Sequence, residues 1–179
     1  PSSISISGNE YTLGISLSGT PDGSETLTVN PVSSSIYDAE GNEASTSQSN
    51  NTISLNDQLA PTITGVVLAS NNATIAVTFS EAVYNTNSGS GSLEVGDFEF
   101  SLNGGNATLS STTPSSIDIV GNVYTLGISL SGTPDGSETL TVNPASSSIY
   151  DAAGNVASTS QSNNTHSLFD QLSPTMTIS

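Results

Sequence analysis

Hydrophobic residues along this chain alternate with polar ones at a period of two. Short stretches rich in Gly, Asn and Pro interrupt the alternation. That is the pattern of half-buried strands, and no segment carries the 3.6-residue period of an amphipathic helix. Between residues 61 and 173 it predicts seven strands, at 62–68, 73–79, 97–102, 107–120, 123–130, 138–142 and within 155–168. Ile75, Val77 and Phe79 share one face of the second, and Phe98, Phe100 and Leu102 one face of the third. Ile117 and Ile119 point inward from the fourth, which is expected to break near Pro114. Tyr124, Leu126, Ile128 and Leu130 alternate along the fifth. Turn chemistry separates them at Ser70–Asn71–Asn72, Asn103–Gly104–Gly105–Asn106, Gly121–Asn122 and Thr133–Pro134–Asp135–Gly136. Seven strands with polar loops predict an all-β, immunoglobulin-like Greek-key sandwich.

The pattern also repeats. Residues 1–62 and 114–175 match at an offset of 113 and differ at nine positions: Ser5/Asp118, Ser7/Val120, Glu10/Val123, Val32/Ala145, Glu40/Ala153, Glu43/Val156, Ile53/His166, Asn56/Phe169 and Ala60/Ser173. The unit is therefore read as starting at Pro61 and ending at Ser173. Residues 1–60 are then the C-terminal half of one unit, 61–173 a complete one, and 174–179 the first strand of the next. The half unit lacks its N-terminal strands, so the sequence reads as a window on a longer repetitive chain. Near-verbatim repetition suits a spacer or an array of modules better than a catalytic domain. Tyr11 and Tyr124 hold matching inward positions, and Tyr37 and Tyr150 are expected to pack as corner tyrosines.

Composition narrows the chemistry. The 179 residues include 16 acidic side chains, one His, and no Lys, Arg, Cys or Trp, giving a net charge of −16. Phosphate finds no cationic partner, so nucleic acid is not an expected ligand. Anionic membrane surfaces repel such a chain, and no apolar run approaches the length of a membrane span. Disulfides and thiolate metal sites need Cys. The chain is not expected to be an enzyme. Its one imidazole, His166, is replaced by Ile53 in the other copy, and a glycosidase carboxylate pair needs a cleft whose aromatic walls are missing. The carboxylates repel one another with no basic side chain to offset them, and bound cations are the obvious remedy.

If the strands run up and down, the incoming linker and the loops 80–96 and 143–154 gather at one end of the complete unit. Asp57, Glu81 and Asp151 map to that end, Asp97 falls near it, and Asn155 would add a carbonyl oxygen. Asp22 of the preceding half would reach the same junction. Asp38 matches Asp151, while Asp135 and Asp170 match Asp22 and Asp57 and would serve the next junction. Calcium takes about six to eight oxygen ligands at about 2.3–2.6 Å, which carboxylates and amide carbonyls supply. The competing reading is that these acids are solvated turn formers, because Asp-x-x-Gly-Asn makes a good turn without a metal. Glu40 and Glu43 become Ala153 and Val156, which argues against either as a ligand. Glu10 and Asp118 read as surface positions.

The segments Thr78–Phe79–Ser80–Glu81–Ala82–Val83 and Tyr150–Asp151–Ala152–Ala153–Gly154–Asn155, with Pro-Thr restarts at 61 and 174, resemble the bacterial immunoglobulin-like, cadherin-like tandem repeats of large secreted surface adhesins. The resemblance spans the complete unit and recurs in the half unit. It implies an extender in a secreted, cell-surface protein, with calcium stiffening the junctions between neighbouring repeats. The linker departs from the cadherin pattern, having Asn56–Asp57 without the fuller acidic string. Two other readings stay open: a subunit of a filament or surface layer that joins other copies by strand complementation, and a carbohydrate-binding module.

Overall fold

The computed structural model describes residues 1–178. The chain divides into two units, Pro1–Leu59 and the residues from Ala60 onward. Among the described residues the regular elements are strands, apart from one turn of 3-10 helix at Val95–Asp97.

Unit 2 is an all-β sandwich. Its strands are β5 (Ile63–Leu68), β6 (Thr74–Phe79), β7 (Phe98–Asn103), β8 (Thr108–Leu109), β9 (Ile117–Val120), β10 (Val123–Gly127), β11 (Leu130–Ser131), β12 (Thr139–Pro144) and β13 (Thr165–Ser167). One sheet has the order β5-β6-β10-β9 and the other β13-β12-β7, all antiparallel, with the short pair β11-β8 completing the fold. Counting β8 and β9 as halves of one strand, this is the four-plus-three partition of a constant-type immunoglobulin sandwich.

Alternation decides which side chains meet. Ile75, Val77 and Phe79 of β6, Tyr124 and Leu126 of β10, Phe98 and Phe100 of β7, and Leu140 and Val142 of β12 are all buried. Three rings tie the sheets together. Phe79 and Tyr124 meet edge to face with centroids 5.6 Å apart, and Phe98 lies 6.1 Å from Tyr124 and 6.3 Å from Phe79. Such pairs contribute about 0.5–1.5 kcal/mol each beyond the area they bury.

The fourth predicted strand is interrupted near Pro114, as expected, but Ile119 departs from expectation. The strand breaks on either side of Pro114 into β8 and β9, which belong to different sheets. Ile119 is 40% exposed instead of pointing into the core. The cause is its position, since β9 is the outer strand of its sheet and β10 its one paired neighbour. Leu102, Ile117 and Leu130 pack against the core while remaining partly exposed.

Unit 1 contains β1 (Ile4–Ser7), β2 (Glu10–Leu13), β3 (Thr26–Thr28) and β4 (Thr52–Ser54). β1 pairs with β2 and β3 with β4 in the registers of β9 with β10 and β12 with β13, shifted by 113 residues. The local structure is thus the same, but the burial is not. Tyr11 is 59% exposed where Tyr124 is 4%, and Ile36 is 53% exposed where Ile149 is 0%. The expected core place of Tyr11 is therefore not found: in unit 2 the corresponding face is covered by β5, β6 and β7, and unit 1 has no such strands.

This contrast gives a paired test. Tyr124→Ala is expected to destabilise unit 2 by about 3–5 kcal/mol, the usual range for truncating a large buried aromatic. Tyr11→Ala, at the matching position, should change stability by less than about 0.5 kcal/mol. Urea unfolding of the two variants beside the parent measures the difference.

Candidate metal centre

Two loops of unit 2 build the site. The chain leaving β6 is fastened by Ser80, whose N–H donates to the Thr62 carbonyl (2.8 Å) and whose Oγ accepts the Thr62 N–H (3.0 Å). The entry of the chain into unit 2 therefore lies beside Glu81. Three residues on, Tyr84 exchanges backbone hydrogen bonds with Tyr150, at 2.7 and 2.8 Å, and pins the 143–154 loop alongside. Tyr150 also donates its hydroxyl to the Ser147 carbonyl at 2.9 Å, a short-range corner contact.

Asp151 follows at once. It is fully buried, and its carboxylate accepts the Asn155 backbone N–H at 2.8 Å and the Asn155 Nδ2 at 2.7 Å. Its own N–H donates to the Asn155 carbonyl, closing the turn. Carboxylate oxygens of Glu81 and Asp151 lie within 4.8 Å of one another. Two negative charges at that spacing repel by about 3 kcal/mol at an effective dielectric of about 20. Within unit 2, Glu81 and Asp151 thus form a carboxylate pair that could contribute to holding a metal ion. The donors are all oxygen, which suits a hard cation and not a metal that prefers nitrogen or sulfur.

Among the described residues no other group of acidic side chains that could hold a metal ion is found, and the remaining predicted ligands make hydrogen bonds within their own turns or to neighbouring side chains. Asp97 caps its own 3-10 turn: its Oδ2 accepts the Glu94 N–H at 2.7 Å, and burial pushes its carboxyl above the usual range. Asn155 donates its Nδ2 to Asp151 at 2.7 Å. Asp22 accepts from the Ser24 hydroxyl and N–H, which hold its pKa low. Asp135 repeats that turn with Ser137 and also accepts Asn106 Nδ2 at 2.6 Å. Asp38 accepts from the Asn42 side chain and N–H, and those bonds lower its pKa. Asp170 accepts the Leu172 N–H at 2.8 Å, and Asp57 accepts the Leu59 N–H at the same distance. These are turn-forming bonds of Asp.

Two buried polar groups escaped the sequence reading. Glu138, at the head of β12, is fully buried. Its Oε1 accepts the N–H groups of Asn106 and Ala107, both at 2.9 Å, and its Oε2 those of Asp135 and Gly136, both at 3.1 Å. Burial pushes its pKa up, but the hydrogen bonds from Ala107, Asp135 and Asn106 outweigh this and hold it below the ordinary value. Gly105 (φ +63°) leaves the room, since a Cβ there would overlap the Glu138 carboxyl. The signal available in the sequence was Pro-Asp-Gly-Ser-Glu, unchanged in both copies. The second group is Asn72. Its Oδ1 accepts the Phe169 N–H at 2.9 Å and its Nδ2 donates to the Phe169 carbonyl at 2.8 Å.

No known protein family, curated protein or solved structure matches this chain. Among the described residues no helix is long and apolar enough to cross a membrane.

The Glu138 cradle predicts a pH dependence. A carboxyl whose folded-state pKa lies below its ordinary 4.5 stabilises the fold above about pH 4.5 and loses that contribution as pH falls through the lowered value. Glu138→Gln is therefore expected to be less stable than the parent at neutral pH, with the gap closing in acid. Urea midpoints of both chains, taken from neutrality to about pH 3, read it out.

Proposed function

We propose that this chain is a structural extender of a large secreted, cell-surface protein, and that a divalent cation, calcium, binds at Glu81 and Asp151 of unit 2. The observation that carries the reading is the acidic group itself, in which a fully buried Asp151 lies within 4.8 Å of Glu81. Asn155 supplies Asp151 with two hydrogen bonds but no charge. With no Lys or Arg in the chain, a soluble cation is the available source of positive charge.

The role is mechanical and not catalytic. Glu81 and Asp151 sit on different loops of the sandwich. One ion bound at Glu81 and Asp151 ties the 80–96 loop to the 143–154 loop and relieves part of the repulsion among 16 acidic side chains. The near-verbatim repeat at an offset of 113 residues and the resemblance to bacterial immunoglobulin-like repeats favour the same role. Calcium is preferred to magnesium because ligands drawn from separate loops meet an irregular oxygen shell more readily than a strict octahedron. Millimolar calcium outside the cell fits the location.

Calcium at about a hundred times its dissociation constant should stabilise the fold by about 2.7 kcal/mol and raise Tm, and a chelator should reverse the shift. Glu81→Gln and Asp151→Asn should each weaken calcium binding in a calorimetric titration. Asp135→Asn, in a turn outside the group, should leave it unchanged. Identical melting curves with and without chelator would remove the metal from this reading.

A further inference from the structure

The face of unit 1 that bears Tyr11, Leu13, Ile15, Leu27, Val29 and Ile36 lines a concavity of about 1300 Å³. Four of these residues, Tyr11, Ile15, Val29 and Ile36, are among the exposed large hydrophobics. We propose that this face is a docking surface for a β-segment with the sequence of residues 61–113, supplied as an additional module.

Unit 2 identifies the occupant. There the counterparts Tyr124, Leu126, Ile128, Leu140, Val142 and Ile149 are buried under β5, β6 and β7, which belong to 61–113. Every residue of 114–173 that is buried in unit 2 has the same residue 113 positions earlier. None of the nine differing positions is buried there. Substitution has touched only the outside, so unit 1 keeps all the inward chemistry of a core whose other half is missing.

Polar contacts make the match specific to this segment. In unit 2, Gln161 Oε1 accepts the Ile63 N–H, Asn72 brackets the Phe169 backbone, Glu138 accepts the N–H groups of Asn106 and Ala107, and Tyr150 bonds the Tyr84 backbone. The corresponding groups of unit 1 are Gln48, the backbone of Asn56, Glu25 and the backbone of Tyr37. The one substitution among these positions, Asn56 for Phe169, leaves the bonded backbone atoms in place. A generic apolar ligand would fill the concavity without meeting these groups. The proposal is independent of any bound metal.

The test adds a second copy of residues 61–113 ahead of Pro1 and follows amide hydrogen exchange, with unit 2 as the internal reference. The expected result is that amides of β1–β4 exchange at least about a hundredfold more slowly than in the parent chain. Binding of a dye that reports exposed apolar surface should be lost as well. Replacing the residues matching Phe79 and Phe100 with Asp in the added copy alone should abolish both effects and leave unit 2 protected. Unprotected β1–β4 amides in the extended chain, beside an intact unit 2, would overturn the proposal. So would β1–β4 amides already protected in the parent chain, or a dimeric parent by sedimentation, which would assign the face to a second copy.

Discussion

A single sheet cannot bury its own apolar face, and the rest of this molecule follows from how that requirement is met. In unit 2 the rings of Phe79, Tyr124 and Phe98 close the space between two sheets, and the aliphatic residues of β6, β7, β10 and β12 fill the layers around them. In unit 1 the same sequence forms the same hairpin registers and leaves Tyr11 in the open. Hairpin pairing is local and survives alone, whereas burial is contributed by residues distant in sequence. The loops that carry Glu81 and Asp151 are held by that second, non-local level, because β6 and β12 lie in opposite sheets.

The chain manages its charge with dipoles. Without Lys or Arg, its buried carboxylates draw on N–H groups: four backbone donors reach Glu138, and the backbone and side chain of Asn155 reach Asp151. Such charge-assisted bonds are short and strong, and a pre-formed turn supplies them at little entropic cost. Many of the other acids serve the same geometry in reverse, each Asp capping the turn that it begins. Glu81 and Asp151 differ from these in converging from separate loops of the sandwich.

Much of this was legible from the residues. Alternation located β5, β6, β7 and β12 to within a residue or two and named most of the core, because sandwich strands with one buried face must alternate; the fifth predicted strand, 123–130, divides into β10 and β11. The ordering of loops at the ends was enough to associate Glu81 with Asp151. What escaped was three-dimensional. Ile119 alternates correctly but lies on an edge strand, and alternation cannot tell an edge from a centre. Asp97 has the charge of a ligand, and its use as a cap depends on the 3-10 turn at Val95–Asp97. Glu138, just before β12, has the parity of the inward-facing Leu140 and Val142, but nothing local in the sequence shows what would pair with a buried carboxylate there. Only the Gly104–Gly105 turn folded against it makes it a buried anchor.

Asn72 sits at the tip between β5 and β6 and grips both polar atoms of the Phe169 peptide, two residues past the end of β13. β13 is only three residues long and would peel readily from β12 if tension were applied to the chain beyond it. The two amide bonds intercept that load first and pass it to β5 and β6 on the opposite sheet. Those strands would then have to slide past one another instead of unzipping. One asparagine thereby converts a short, peelable seam of the sandwich into a shear-loaded one.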